Sequence, residues 1–190
     1  MTHVTEDDLD DLEFDTLRTG DHISAAQRLA DLAESVSGGV SRANVLIRAG
    51  EQWQHAGVHD KAAEFYRRAL EDGGDTYGDP RAYLADALFE LGDHDQARTL
   101  VEQIRADAPR DPEVYRTVAE VLYAQGDAVG THEWATAGAD VVLALRDRGE
   151  VEAIDSLEAL LRLRYRARND LGQPEDEYDS LLDDLLKNTT

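Results

Sequence analysis

The side chains of this 190-residue chain that could bind a metal or carry a proton are its six histidines and 41 carboxylates. Three of the histidines, His22, His59 and His94, recur at one position, each two residues after a glycine. A shared metal would need all three within about 2 Å of one ion. Successive turns of packed helices lie roughly 10 Å apart, so these histidines read as turn residues. Asp72, Asp75 and Asp79 lack the alternating spacing of a calcium loop. Gly73-Gly74 follows no strand and fits no phosphate-binding fingerprint. The absence of cysteine excludes disulfides, thiolate metal sites and cysteine nucleophiles. No nucleophile stands in a recognisable pattern with a base, and carboxylates are too abundant for any pair to carry a signal. The expectation is a non-catalytic protein with no catalytic, cofactor-binding or metal-binding residues.

Charge narrows the field further. The formal net charge is −22, and it is concentrated at the two ends: residues 1–21 carry −7 and residues 173–190 carry −5. Such a field repels nucleic acid and anionic membrane and speeds encounter with basic partners. Only two lysines, Lys61 and Lys187, stand against 17 arginines, so the acidity is equally well read as a habit of a GC-rich or salt-adapted genome. The one basic cluster, Arg162, Arg164, Arg166 and Arg168, lies next in sequence to Glu175, Asp176, Glu177 and Asp179. Ion pairing between the last two helices is the expected use of these arginines, ahead of phosphate binding. The first residues include neither a basic segment nor an apolar run, and no stretch of 18 uncharged apolar residues occurs, which points to the cytoplasm.

The elements that must position these residues repeat. Gly20, Gly57, Gly92 and Gly126 are separated by 37, 35 and 34 residues, and each precedes a helical stretch opening with small residues. With the turn glycine at position 15 of a 34-residue unit, position 8 reads Gly50, Ala85 and Ala119. Position 20 reads Ala62, Ala97 and Thr131, and position 27 reads Ala69, Ile104 and Gly138. Small residues recurring in one column mark the close crossings of packed helices, with Ile104 the exception. Trp53, Leu88 and Leu122 at position 11, with Tyr66 and Val101 at position 24, are the expected core. Asp beside the turn glycine, or Asp60 and Asp95, can cap the second helix of each unit. Before Gly20, Leu9, Leu12, Phe14 and Leu17 are the apolar residues of a helix over Glu6 to Arg18, read as a cap on the array or an acidic arm. Val151, Ile154, Leu157, Leu161 and Tyr165, then Tyr178, Leu181, Leu182, Leu185 and Leu186, outline a closing helical hairpin.

Residues 43–138 resemble three tetratricopeptide repeats, most closely in the run from Ala56 to Leu70 and again from Phe89 to Ala97. The resemblance implies an all-α right-handed superhelix, an α-solenoid of antiparallel helical hairpins. Its expected divisions are an acidic N-terminal cap or degenerate unit over 1–42, three units at 43–76, 78–111 and 112–138 onward, and closing helices over 139–190. The third unit is degenerate, since Thr131, Ala135 and Gly138 replace more usual residues, so its second helix is expected to pack differently. In this family the first helix of each unit lines a concave surface. Carried over position by position, the partner-binding residues are Asn44, Ile47, Glu51, Gln54 and His55, then Asp86, Phe89 and Glu90, then Glu113, Arg116, Glu120 and Tyr123. Glu51, Asp86 and Glu120 share one position. The implied function is a protein-interaction scaffold that holds a basic or amphipathic segment of a protein or peptide, without nucleic acid, membrane or cofactor. Two other readings stay open: self-association as a homo-oligomer, and acidic mimicry of nucleic acid that sequesters a basic protein.

Overall fold

The turn at Gly57 shows why the unit repeats. Helix α3 (Arg42–His55) ends where Val58 N–H reaches back to the Trp53 carbonyl and Gly57 N–H to the Gln54 carbonyl, both at 2.9 Å. This closure needs a left-handed residue, and φ at Gly57 is 74°. The same pair of bonds recurs at Gly92 (Asp93 to Leu88, 2.9 Å; Gly92 to Phe89, 3.0 Å) and at Gly126 (Asp127 to Leu122 and Gly126 to Tyr123, both 3.0 Å). The acid beside the glycine then caps the next helix. Asp21, Asp93 and Asp127 accept from the backbone N–H three residues on at 3.1, 3.4 and 2.8 Å. Asp60 and Asp95, the alternative caps, sit instead inside the first turns of their helices, where their charge favours the helix N-terminus.

The computed structural model describes residues 2–150 and 154–188. Besides α3, its helices are α1 (Glu6–Thr19), α2 (His22–Ser35), α4 (His59–Asp72), α5 (Pro80–Glu90), α6 (His94–Asp107), α7 (Pro112–Ala124), α8 (Ala128–Asp147), α9 (Ile154–Asp170) and α10 (Glu177–Asn188). Pro80 and Pro112 open α5 and α7, where a missing N–H costs nothing. The fold is all-α and built from helical hairpins, as the repeat implied. It forms two compact units, Met1–Ile104 and Arg105–Thr190. In the first, α3 packs on α2, α4 and α5; in the second, α8 packs on α7 and α9, and α9 on α10. No helix among the described residues is long and apolar enough to cross a membrane.

The small-residue columns are the closest crossings. Ala62, Ala85, Ala97, Ala119 and Thr131 are fully enclosed, and Ile104 is accommodated equally deep. At Gly50 a Cβ would stand 2.4 Å from the Tyr66 ring, and at Gly138 it would stand 2.7 Å from the Tyr115 Cβ. Trp53, Tyr66, Leu88, Val101 and Leu122 are core residues, as their column positions indicated. Helix α8 runs 20 residues against 14 in α4 and α6, so the degenerate unit has a longer second helix.

Two features depart from the sequence reading. Residues Thr2–Val4 (β1) and Val36–Gly39 (β2) form a short parallel pair. Val4 is buried there, and Val40 N–H donates to its carbonyl at 2.8 Å. Gly39 is required beside it, because a Cβ would come within 1.8 Å of the Val4 carbonyl oxygen. A three-residue strand is too short to show an alternation, which is why the sequence did not announce it. Second, of the four apolar residues of α1, Leu9 is buried, but Phe14 and Leu17 are 71% and 80% exposed. The helix is fixed at its start by a reciprocal capping box between Thr5 and Asp8 (2.9 and 3.2 Å) and along its flank by polar contacts. Val151 lies outside the described residues.

Candidate functional site

Helices α3 and α5 pack against each other in the first compact unit and bring together most of the residues that the repeat register singled out. Gln54 lies at the centre. Its amide nitrogen donates to the Asp86 carboxylate on α5, and its oxygen accepts from the Tyr66 hydroxyl of α4 at 3.3 Å. Tyr66 is 1% exposed, stacks on Tyr83 with ring centres 5.7 Å apart, and occupies the space that Gly50 leaves free. Its hydroxyl is held well above its usual pKa by burial first and then by the negative charge of Glu51 and Asp86.

The two carboxylates of this seam are half-buried and have no directly paired cation among the described residues. Burial pushes Glu51 up to about 7; Arg48 opposes the shift and Glu13 adds to it. Burial likewise pushes Asp86 up to about 6, with Glu90 adding to the shift, while His59 and the hydrogen bond from Gln54 oppose it. Neither acid forms an ion pair among the described residues. Both therefore sit in a state that an added cation would relieve.

Around them the structure sorts the remaining candidates. Ile47 on α3 and Phe89 on α5 are buried, 1% and 5% exposed. Asn44 is also interior: it donates to Glu6 at 3.2 Å and accepts from Tyr77 N–H at 3.1 Å, which ties α1 and the loop before α5 to α3. Glu90 and His55 are exposed. The His55 ring meets that of His22 edge-on at 5.2 Å, and burial followed by the neighbouring imidazole lowers its pKa. The recurring histidines thus do more than decorate turns. His22 Nδ1 lies 2.9 Å from Gln52 Oε1, His94 packs on Phe89 at 5.7 Å, and the charge of His59 is felt at Asp86.

Sequence reasoning missed Arg48 and its partners on α1. Arg48 binds Glu13 at 2.8 Å, with Glu6 at 3.7 Å and Asp10 at 3.8 Å. The signal was present as an offset: Glu13 to Arg48, Glu34 to Arg68 and Asn44 to Tyr77 are 35, 34 and 33 residues apart, one repeat length each. Polar residues one period apart are neighbours across stacked units.

The second compact unit holds the other candidates in a different electrostatic state. Arg116 binds Glu113 at 2.6 Å and Glu120 at 2.7 Å on its own helix, and Glu113 also accepts from the Ser156 hydroxyl at 2.7 Å. Although burial acts to raise it, Glu113 is held below its usual pKa by the hydrogen bonds from Arg116 and Ser156. Tyr123 is half-buried beside them in sequence. Glu120 shares a register position with Glu51 and Asp86 but is already neutralised by its own helix.

Two of the four clustered arginines pair with the acids that follow α9, as their neighbours in sequence implied. Arg164 and Arg168, each 4% exposed, bind Asp176 at 2.6 and 2.9 Å, and Arg168 also binds Asp179. Arg164 further lies 4.3 Å over the Tyr178 ring and donates to Thr136 at 2.9 Å. Arg162 pairs with Glu158 on its own helix at 2.8 Å. No group of three or more His, Asp or Glu side chains among the described residues is arranged to hold a metal ion.

Against this geometry, residues 55–128 match the family model described as tetratricopeptide repeat. Over these residues the chain is similar to the tetratricopeptide repeat. The tetratricopeptide match runs from the end of α3 to the start of α8 and so takes in α4 to α7, with Asp86, Phe89, Glu90, Glu113, Arg116, Glu120 and Tyr123. Glu51 and Gln54 lie just before it, in the same register. None of the curated proteins searched matches the chain. Tetratricopeptide repeats serve as protein-interaction surfaces, since stacked hairpins expose one continuous row of first helices.

Proposed function

We propose that the protein is a non-catalytic interaction module that takes a basic segment of a partner protein along α3 and α5, with Glu51 and Asp86 as the residues that receive its cationic side chains. One observation carries this reading: both carboxylates are half-buried, burial raises the pKa of each, and neither has an ion-pair partner among the described residues. A charge withdrawn from water without a partner is costly, and a Lys or Arg supplied in trans turns that cost into binding free energy. Gln54, held between Asp86 and Tyr66, fixes the position of the Asp86 carboxylate. Ile47 and Phe89 are buried members of the same two helices, Asn44 ties α3 to α1, and Glu90 and His55 are exposed.

On this reading the acids of the second unit, Glu113 and Glu120, contribute little, because Arg116 already satisfies them. Arg116 and Tyr123 belong to that neutralised set.

Titration calorimetry with short Arg-rich and Lys-rich peptides tests the proposal. The double substitution Glu51→Gln and Asp86→Asn is expected to weaken binding about tenfold or more, whereas Glu120→Gln leaves it within about twofold. Equal affinity for the double variant and the wild type would remove the two acids from the binding site.

A further inference from the structure

Phe14 and Leu17 are the two most exposed large apolar side chains among the described residues, at 71% and 80%. They lie nearly one turn apart on α1, with Asp10 one turn before Phe14 and Glu13 one turn before Leu17, so these four share one side of the helix. That side borders the seam described above. Glu13 is seated on Arg48 of α3 at 2.8 Å, and its charge reaches both Glu51 and His55. Leu9 and Thr16, on the adjoining side of α1, are buried. The acidic seam is therefore continued on α1 by an exposed apolar pair set among carboxylates.

We infer that Phe14 and Leu17 form the apolar anchor of this surface, and that its occupant is an amphipathic basic helix of another protein, with apolar side chains one turn apart seated on the pair. The inference rests on the reading of Glu51 and Asp86 as cation receivers and adds a second requirement to the partner. Charge decides against a second copy of this chain in that place. Helix α1 carries seven acids and one arginine, and the whole chain a net charge of −22, so two such faces repel each other. A peptide that is merely basic satisfies the carboxylates and leaves Phe14 and Leu17 in water. A helix with one apolar stripe flanked by Lys or Arg satisfies both.

Three synthetic peptides of equal length and charge separate these demands: a Lys-Leu-Ala helix with its leucines in one stripe, the same composition with the leucines scattered round the helix, and a Lys-Ala peptide without leucine. The wild type is expected to bind the striped peptide about tenfold more tightly than the other two. The double substitution Phe14→Gln and Leu17→Gln, at exposed positions and with a good helix former, brings the striped peptide down to the level of the Lys-Ala peptide and leaves the latter unchanged. If the wild type does not favour the striped peptide, or the double Gln variant keeps the preference, the anchor is overturned. The seam reading then survives provided that Glu51→Gln with Asp86→Asn still weakens all three peptides. If no peptide binds the wild type, both readings fall.

Discussion

Glu51 is a carboxylate whose environment works against its charge, and this gives it a measurable signature. Its pKa rises from 4.5 to about 7 on folding, chiefly through burial. The folded state therefore binds the proton more tightly than the unfolded chain between those values, and stability falls as pH rises through that window. Asp86, raised from 3.8 to about 6, acts in the same direction slightly lower. Urea unfolding at a series of pH values is expected to show Glu51→Gln gaining about 1–3 kcal/mol over the wild type at pH 8 and nothing at pH 4. A cation bound at the seam favours the ionised acids. Peptide affinity should then rise from pH 5 to pH 8, with protons released on binding near pH 6 to 7, read by calorimetry in two buffers of different ionisation enthalpy. Gly50 supports the same site from behind. Gly50→Ala places a Cβ 2.4 Å from the Tyr66 ring and is expected to cost about 1–3 kcal/mol by overpacking and to weaken peptide binding through Gln54.

At the scale of the element, the repeat supplies its own controls. The N-cap positions of α2, α4 and α8 have nearly the same backbone, with φ of −88°, −101° and −82° and ψ of 68°, 67° and 78°. Asp21 and Asp127 use it to cap their helices, while Val58 leaves α4 without a side-chain cap. Val58→Asp is thus expected to stabilise the protein by about 1 kcal/mol, and Asp127→Ala to destabilise it by a similar amount, both read from urea midpoints. Helix α1 is the contrasting element. Only part of its apolar series is buried, and its hold on α3 is largely polar, through Arg48 and Asn44. Arg48→Leu should therefore loosen α1 preferentially, seen as faster amide exchange over residues 6–19 than over α3 and α4.

For the molecule as a whole, the governing quantity is the net charge of −22 on 190 residues. Self-repulsion of this size is screened by salt, so thermal stability is expected to rise between low and high NaCl while affinity for basic peptides falls. Opposite responses of the two measurements to one variable distinguish a functional acidic surface from acidity that merely accompanies the fold. The anchor at Phe14 and Leu17 supplies an internal reference, since its contribution should survive salt that abolishes the rest.

The amino-acid sequence determined the repeat. Glycines at intervals near 34 set the turns, small residues in columns set where helices cross, and large apolar residues in the alternate columns filled the core. These are local and periodic constraints, each visible in the residue types themselves. Three matters were decided only by tertiary structure. Of the acids that share one register position, Glu51 and Asp86 are half-buried and without an ion pair among the described residues, whereas Glu120 is paired with Arg116, because net electrostatics depends on which side chains arrive from other turns and helices. Phe14 and Leu17 resemble core residues in sequence but are exposed, since burial requires an opposing surface and the described residues place none there. The β1–β2 pair joins segments more than 30 residues apart, and its three-residue strand has no periodicity to read. Periodic pattern fixes local conformation; solvation and pairing are properties of the assembled neighbourhood.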